Sequence, residues 1–299
     1  MQLETASQMP PDPQHRTRVV RHDSGLGRWE IAIGVPHPCI AEHVRGYWGY
    51  TDIGMRVARR RKSPTGNATL IINFGPAFRL VDSRQPNAWI EPRDAFMAGL
   101  HDNPVVIEST GDSHCVQIDL SPLGAFLFLG QPMDALAYQV VELEDLLGPV
   151  ARRFRAELHD AGDWPARFAL LDAQIASRVA AARAPSPAVA WAWRELRRTD
   201  GRVGIGALTD TLGCSRQHLI RRFHEQIGLP PKTLARILRF NRILRLLDHD
   251  DEPDWADLAQ RCGYYDQAHF NRDFRHFAAC TPGEFLRRRL PDQGGVTAL

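Results

Sequence analysis

Lysine is almost missing from this chain: Lys62 and Lys232 are the only two among 37 basic residues. That bias reads first as the mark of a GC-rich coding sequence, although guanidinium also suits phosphate and guanine. Paired-cysteine motifs are missing too. Cys39, Cys115, Cys214, Cys262 and Cys280 are odd in number and scattered, with no CxxC. They argue against a disulfide framework or a zinc knuckle and read as small apolar fillers in a reducing cytosol. No apolar run approaches the ~20 residues of a membrane helix. The opening Met1-Gln2-Leu3-Glu4-Thr5 has neither a basic flank nor an apolar segment. A cytoplasmic chain without signal peptide or membrane partner is expected. There is no phosphate loop, no G-x-S-x-G elbow and no H-E-x-x-H, so neither an enzyme nor a cofactor is expected. The nearest thing to a metal set is His37, Cys39 and His43, which His101 or His114-Cys115 would complete only if the fold gathered them. Isolated packing or surface residues are the plainer reading, and no metal site is expected.

What is present divides the chain in two. At 299 residues with 43% hydrophobic content, there is material for two cores. Residues 194–290 carry 18 Lys and Arg against 13 Asp and Glu, while the remainder is slightly acidic. One basic domain beside a slightly acidic one fits a nucleic-acid-binding module attached to something else.

Residues 1–14 are polar with Pro10, Pro11 and Pro13, and predict a disordered tail. Short β-type runs follow at 29–35, 44–52, 70–74, 78–81, 95–100, 105–108 and 115–120, broken by Gly, Pro and Asn. They predict an antiparallel β-barrel or sandwich over 15–130. Its aromatics and one arginine (Tyr47, Trp48, Tyr50, Phe74, Phe78, Trp89, Phe96, Arg79) suit a core more than a pocket. Helical pieces are expected at 124–129 and, within a linker or dimerisation region, 131–184, at 143–147, 150–161 and 164–183. Phe168, Leu171, Ile175 and Val179 form an apolar stripe there, which either packs back on the barrel or makes a dimerisation helix. The Ala184-Pro185-Ser186-Pro187 linker opens the last domain, 185–290, followed by a frayed tail, 291–299. Its first helix, 188–198, points Trp191 and Leu196 inward. A connecting helix, 232–248, buries Leu234, Ile237, Leu238, Leu244 and Leu247 and ends at 250–252.

The last domain repeats itself. Leu208, Gly213, Ser215, Leu219, Phe223, Pro231 and Leu234 are matched by Leu258, Gly263, Asp266, Phe270, Phe274, Pro282 and Phe285, with the second turn one residue longer. Each copy has the grammar of a helix-turn-helix, at 204–228 and 254–279: a short helix, a turn glycine, a Ser or Asp cap and a second helix. The i, i+4 pairs Leu219/Phe223 and Phe270/Phe274 bury one stripe of each second helix. The outward faces carry Arg216, Gln217, Ile220, Arg221 and His224, and Gln267, Ala268, Asn271, Arg272 and Arg275. Arg and the amides read base edges in a major groove. Two such faces, in register, are hard to dismiss as ordinary solvated surface.

Residues 190–290 resemble the DNA-binding domain of the AraC/XylS family of bacterial transcription regulators. The resemblance is carried by Leu258-Ala259, Gly263-Tyr264, Asp266 to Phe274, Thr281 to Phe285, Ser215 to Phe223 and Gly228 to Lys232. Ala279 stands where the family has Gly, and Pro230 where it has Ser or Thr; small stability effects are expected of both. The resemblance implies an α+β chain: a cupin-like antiparallel barrel, a helical linker or dimerisation region, and an all-α double helix-turn-helix domain. It implies double-stranded DNA as partner, a small-molecule effector, a homodimer, and RNA polymerase as a further partner. Arg216, Gln217 and Arg221, with Gln267, Ala268 and Arg272, would face bases. Ser215, His218, Arg222, His269 and Arg275 would touch phosphates or sugars, and Asp266 and Asn271 complete the DNA-binding set. The competing possibility is a cupin-like metal-dependent enzyme or metal sensor carrying a DNA-binding module.

Overall fold

The computed structural model describes residues 16–24, 27–54, 58–77, 79–82, 89–92, 94–109, 111–248, 253–289 and 296–297. Among the described residues, ten strands come first: Thr17–Ser24 (β1), Gly27–Gly34 (β2), Val44–Ile53 (β3), Ala58–Lys62 (β4), Ala68–Asn73 (β5), Arg79–Asp82 (β6), Trp89–Ile90 (β7), Ala95–Ala98 (β8), Val105–Ser109 (β9) and Ser113–Leu120 (β10). Pro122–Leu129 (α1), Val140–Glu142 (β11), Leu143–Leu147 (α2), Pro149–Asp160 (α3) and Trp164–Ala181 (α4) follow. The C-terminal part holds Pro187–Arg198 (α5), Ile205–Leu212 (α6), Arg216–Ile227 (α7), Pro231–Leu247 (α8), Trp255–Arg261 (α9), Gln267–Ala278 (α10), Pro282–Arg288 (α11) and Val296–Thr297 (β12). This is the expected α+β class, with the β part first and the helical part last.

The strands form two antiparallel sheets, ordered β1-β2-β3-β10-β5-β8-β11 and β12-β4-β9-β6-β7. Alternation explains most of them. In β5, Ala68, Leu70 and Ile72 point inward and are fully buried, with half-buried residues between. Tyr47 and Phe96, offered as core or pocket, are core. Trp89 is exposed beneath the Arg59 and Arg79 guanidinium groups. Phe78 and the 1–14 tail lie outside the described residues.

Several elements departed from expectation. β4 is a basic run, Ala58-Arg59-Arg60-Arg61-Lys62, without apolar alternation. It is a strand because β9 and β12 flank it with backbone partners. Within the span expected to be a frayed tail, the two described residues, Val296 and Thr297, pair with Arg61 and Arg60. Cys39 is exposed rather than a filler. Cys115 fits the filler reading, with burial pushing its thiol up to about 12.

The apolar stripe of α4 packs on the chain's own barrel. Phe168 stacks on Tyr47 at 5.4 Å, and Phe168, Leu171 and Ile175 are buried while Val179 is half-buried. Asp172 fastens the contact, accepting from the Tyr47 hydroxyl (2.8 Å), the His37 amide (2.9 Å) and Arg16 (2.5 Å). A partner copy could therefore not use this stripe without displacing the barrel.

The helical part rests on the β part and its linker. The Met133 amide donates to the Glu225 carbonyl (2.8 Å), the Ser186 amide to Gln226 Oε1 (2.9 Å), and Asn241 Nδ2 to the Thr65 carbonyl (2.7 Å). A hollow of about 350 Å³ lies at this joint, between Glu42, His43, Leu127, Val179, Trp193 and Arg194. His43 Nδ1 is buried without a hydrogen-bond partner, and burial lowers the ring's pKa.

Candidate nucleic-acid interface

Both helix-turn-helix units are built as their spacing predicts. In the first, α6 ends at Gly213 with φ +60°, a left-handed conformation that glycine adopts without steric cost. Ser215 then caps α7, its hydroxyl accepting from the His218 amide at 3.2 Å. In the second, Gly263 turns with φ +80°, and Asp266 caps α10 by accepting from the His269 amide at 2.6 Å. Leu219, Phe223, Phe270 and Phe274 are buried. Each contributes roughly 1.5–3 kcal/mol by leaving water, and together they fix which face of each helix turns outward.

The outward faces are open. Arg216, Gln217, His218 and Arg221 on α7 are exposed, as are Gln267, Ala268, Arg272 and Arg275 on α10. Ile220, His224 and Asn271 are half-buried. Three of the other expected site residues are already engaged. Ser215 and Asp266 spend an oxygen on capping, and Arg222 pairs with Glu225 at 2.9 Å. His269 leans edge-on against Tyr264, 5.1 Å between ring centres, with Asp273 3.9 Å away.

α8 joins the units. Its 17 residues make a rod about 25 Å long. Its buried positions are Pro231, Leu234, Ala235, Ile237, Phe240, Ile243 and Leu247, whereas Leu238 and Leu244 are only half-buried. The correction arises because α8 is gripped from two sides. Phe240 meets Phe274 and Phe277 of α10 at 5.3 and 5.2 Å, which spacing along one helix could not reveal. In the same way Trp193, not the half-buried Trp191, is the tryptophan that α5 buries. The end of α8 at 250–252 lies outside the described residues.

The two family departures sit at helix ends. Ala279 closes α10 with φ +52°, a left-handed position that costs an L-residue about 1–2 kcal/mol and explains the usual glycine. Pro230 precedes α8 without a side-chain cap.

Sequence reasoning missed three things here. Tyr265, 94% exposed, stands just before the Asp266 cap; an aromatic outside the apolar register was the available signal. Arg236 on α8 donates to the buried Asp273 of α10 through Nε (3.1 Å) and Nη2 (2.8 Å), tying the second outward helix to the rod. Arg202, Lys232 and Arg239 converge with Arg216 on one hollow, although they are spread over 38 residues.

His37 Nδ1 is 2.9 Å from Cys39 Sγ, but among the described residues no three His, Cys, Asp or Glu side chains gather as a metal set would. No helix among the described residues is long and apolar enough to cross a membrane.

Comparison with known proteins agrees with this geometry. Residues 208–288 match a family described as "Helix-turn-helix domain", and residues 34–142 match a domain of unknown function. The HTH-type transcriptional activator RhaS of Escherichia coli (strain K12 / DH10B) is 33% identical over 98 residues, 33% of this chain and 34% of RhaS. The chain thus matches about a third of the length of these curated relatives. Among solved structures, ToxT from Vibrio cholerae overlays 78% of this chain and 97% of its own at 11% identity, with a TM-score of 0.43. The AraC-like transcriptional activator CuxR overlays 77% and 86% at 15% identity, with a TM-score of 0.31. Both overlays are loose. The sequence match falls on the paired helix-turn-helix units, so that part of the chain is similar to the corresponding part of HTH-type transcriptional activators such as RhaS.

Proposed function

We propose that the protein is a sequence-specific DNA-binding transcription regulator controlled by a small effector bound in its N-terminal barrel. One observation carries the first half: two capped helices, joined by a rigid rod, each hold out a solvent-exposed row of Arg and amide side chains. Such a pair suits successive major-groove faces of one duplex. Arg216, Gln217 and Arg221, with Gln267, Ala268 and Arg272, are assigned to base edges, Ala268 offering only a methyl contact to thymine. His218 and Arg275, exposed beside them, are assigned to phosphates or sugars, with His269 at the margin. Ser215 and Asp266 contribute mainly by capping. Arg222 would have to leave Glu225 to reach a phosphate.

Selection of genomic fragments by the purified chain tests this reading, and failure to enrich any fragment refutes it. On the enriched site, Arg221→Ala is expected to cost ~1–3 kcal/mol and to relax one base position. Equal weakening on every sequence would remove Arg221 from base reading.

The arrangement of the chain supports effector control. The sheet domain is joined to the reading domain through a bonded interface, so a ligand preferring one arrangement of the two would shift how the helices are presented. A specific ligand raises the unfolding midpoint by mass action, by about 2.7 kcal/mol of stability at a hundredfold excess over Kd. A metabolite panel should contain compounds that do so at micromolar concentration. A panel without any such shift would argue for a barrel that serves only as scaffold.

A further inference from the structure

A hollow of about 330 Å³ lies at the seam between the two helix-turn-helix units, and its chemistry has one sign. Arg202, Arg216, Lys232 and Arg239 line it, with Gly204 and Gly206, and no carboxylate is among its lining residues. Arg202 Nε donates to the Thr199 carbonyl at 3.1 Å and Arg239 Nη1 to the Gly201 carbonyl at 2.8 Å. Those acceptors orient the guanidinium groups but leave their charge uncompensated. Arg216 and Lys232 have no ion-pair partner among the described residues. Four cations held around one concavity repel each other, and an anion placed among them relieves that repulsion.

The residues before and within the first unit, with α8, build the walls, and the second unit packs behind two of their arginines. Arg202 lies so close to the second unit's turn that a Cβ on Gly263 would sit 2.9 Å from Arg202 Cγ. The Arg239 guanidinium lies over the Tyr264 ring, 5.5 Å from its centre. Arg216 is the first residue of α7, so the hollow opens beside the outward face of the first unit. The start of α6 forms the floor. Gly204 caps it without a side chain, and a Cβ at Gly204 or Gly206 would meet nothing within 4 Å. The first-turn amides are thus open to close approach from the hollow, at the helix end that favours negative charge.

The geometry points to a seat for a phosphate of the DNA backbone at this seam, held by Arg202, Lys232 and Arg239, with Arg216 at its edge. This rests on the DNA-binding reading above. Where two helices enter successive major-groove faces, the strand between them crosses the seam and brings its phosphates to the hollow. A phosphodiester there carries one negative charge and two accepting oxygens, which match guanidinium and ammonium donors. The contact positions the domain on the duplex without reading sequence.

The test uses the full chain and the double variant Arg202→Gln/Lys232→Gln, both at exposed side chains, with an unchanged unfolding midpoint as the folding control. Fluorescence anisotropy is measured over a range of KCl on an enriched fragment and on a scrambled duplex. The variant should lose affinity by a similar factor on both. Its slope of log affinity against log salt should be shallower by about 0.9 for each phosphate contact removed. A wild-type chain that binds neither duplex overturns the DNA reading and this seat together. A wild-type chain that binds, with a variant whose slope is unchanged or whose loss is confined to the enriched fragment, overturns the seat alone. A second arm follows thermal shift with inorganic phosphate against chloride at fixed ionic strength. Protection by phosphate that the variant lacks, with an unchanged DNA salt slope, would assign the hollow to a free phosphate ligand instead and overturn the proposal.

Discussion

Replacing Asp273 by alanine is expected to destabilise the helical domain by about 3 kcal/mol and to loosen α10. Asp273 is 3% exposed on the inner face of α10, and one carboxylate oxygen accepts both bonds from Arg236 of α8. Arg236 also lies over the Phe277 ring, 5.1 Å from its centre. Removing the carboxylate leaves a guanidinium in an apolar wall without its partner. Breaking a buried pair costs about 3–5 kcal/mol, and the low end applies because Arg236 keeps 27% exposure. The denaturation midpoint should fall, and affinity for the enriched fragment should fall with it. The double replacement Arg236→Met/Asp273→Leu should recover most of the stability, since an apolar pair of similar volume needs no desolvation of charge. A single variant as stable as the wild type would mean that the pair does not hold α10 to the rod.

Gly201→Ala is expected to be comparably damaging, by roughly 2–5 kcal/mol. Gly201 has φ +74°, which costs an alanine about 1–2 kcal/mol. A Cβ there would also sit 2.0 Å from the Ala235 carbonyl oxygen in α8. That neighbour is helix backbone and cannot rotate away, so the rest of the cost is overpacking, roughly 1–3 kcal/mol. The Gly201 carbonyl also orients Arg239 at the seam, so the phosphate seat should be disturbed as well. Gly213→Ala provides the contrast: φ is +60°, but its Cβ would meet nothing within 4 Å. Only the conformational cost of about 1–2 kcal/mol applies there. Equal midpoints for the two variants would show that the approach of Gly201 to α8 is not rigid.

The second domain was legible because its signals are local. A turn glycine, a cap three residues from the amide it serves, and an i, i+4 apolar pair all act within one helical turn. Their repetition at Gly263, Asp266 and Phe270/Phe274 removed most of the ambiguity of the first copy. The barrel was legible as a class, from alternation in strands such as β5 and β10, but not in full. β4 carries no alternation, and β12 is two residues long. Both depend on hydrogen bonds to strands far away in sequence. Trp193 displaced Trp191, and Phe240 and Ile243 displaced Leu238 and Leu244, because burial on a helix gripped from several sides follows its neighbours rather than one stripe.

The chain's own order of residues determined α7 and α10, their caps and the outward placement of Arg221 and Arg272, since each follows from forces acting over a few residues. Tertiary structure alone decided that α4 lies on its own barrel, that Asp273 locks α10 to α8, and that Arg202, Arg216, Lys232 and Arg239 share one hollow. Those groups are distant along the chain, and only packing brings their charges within reach of one another.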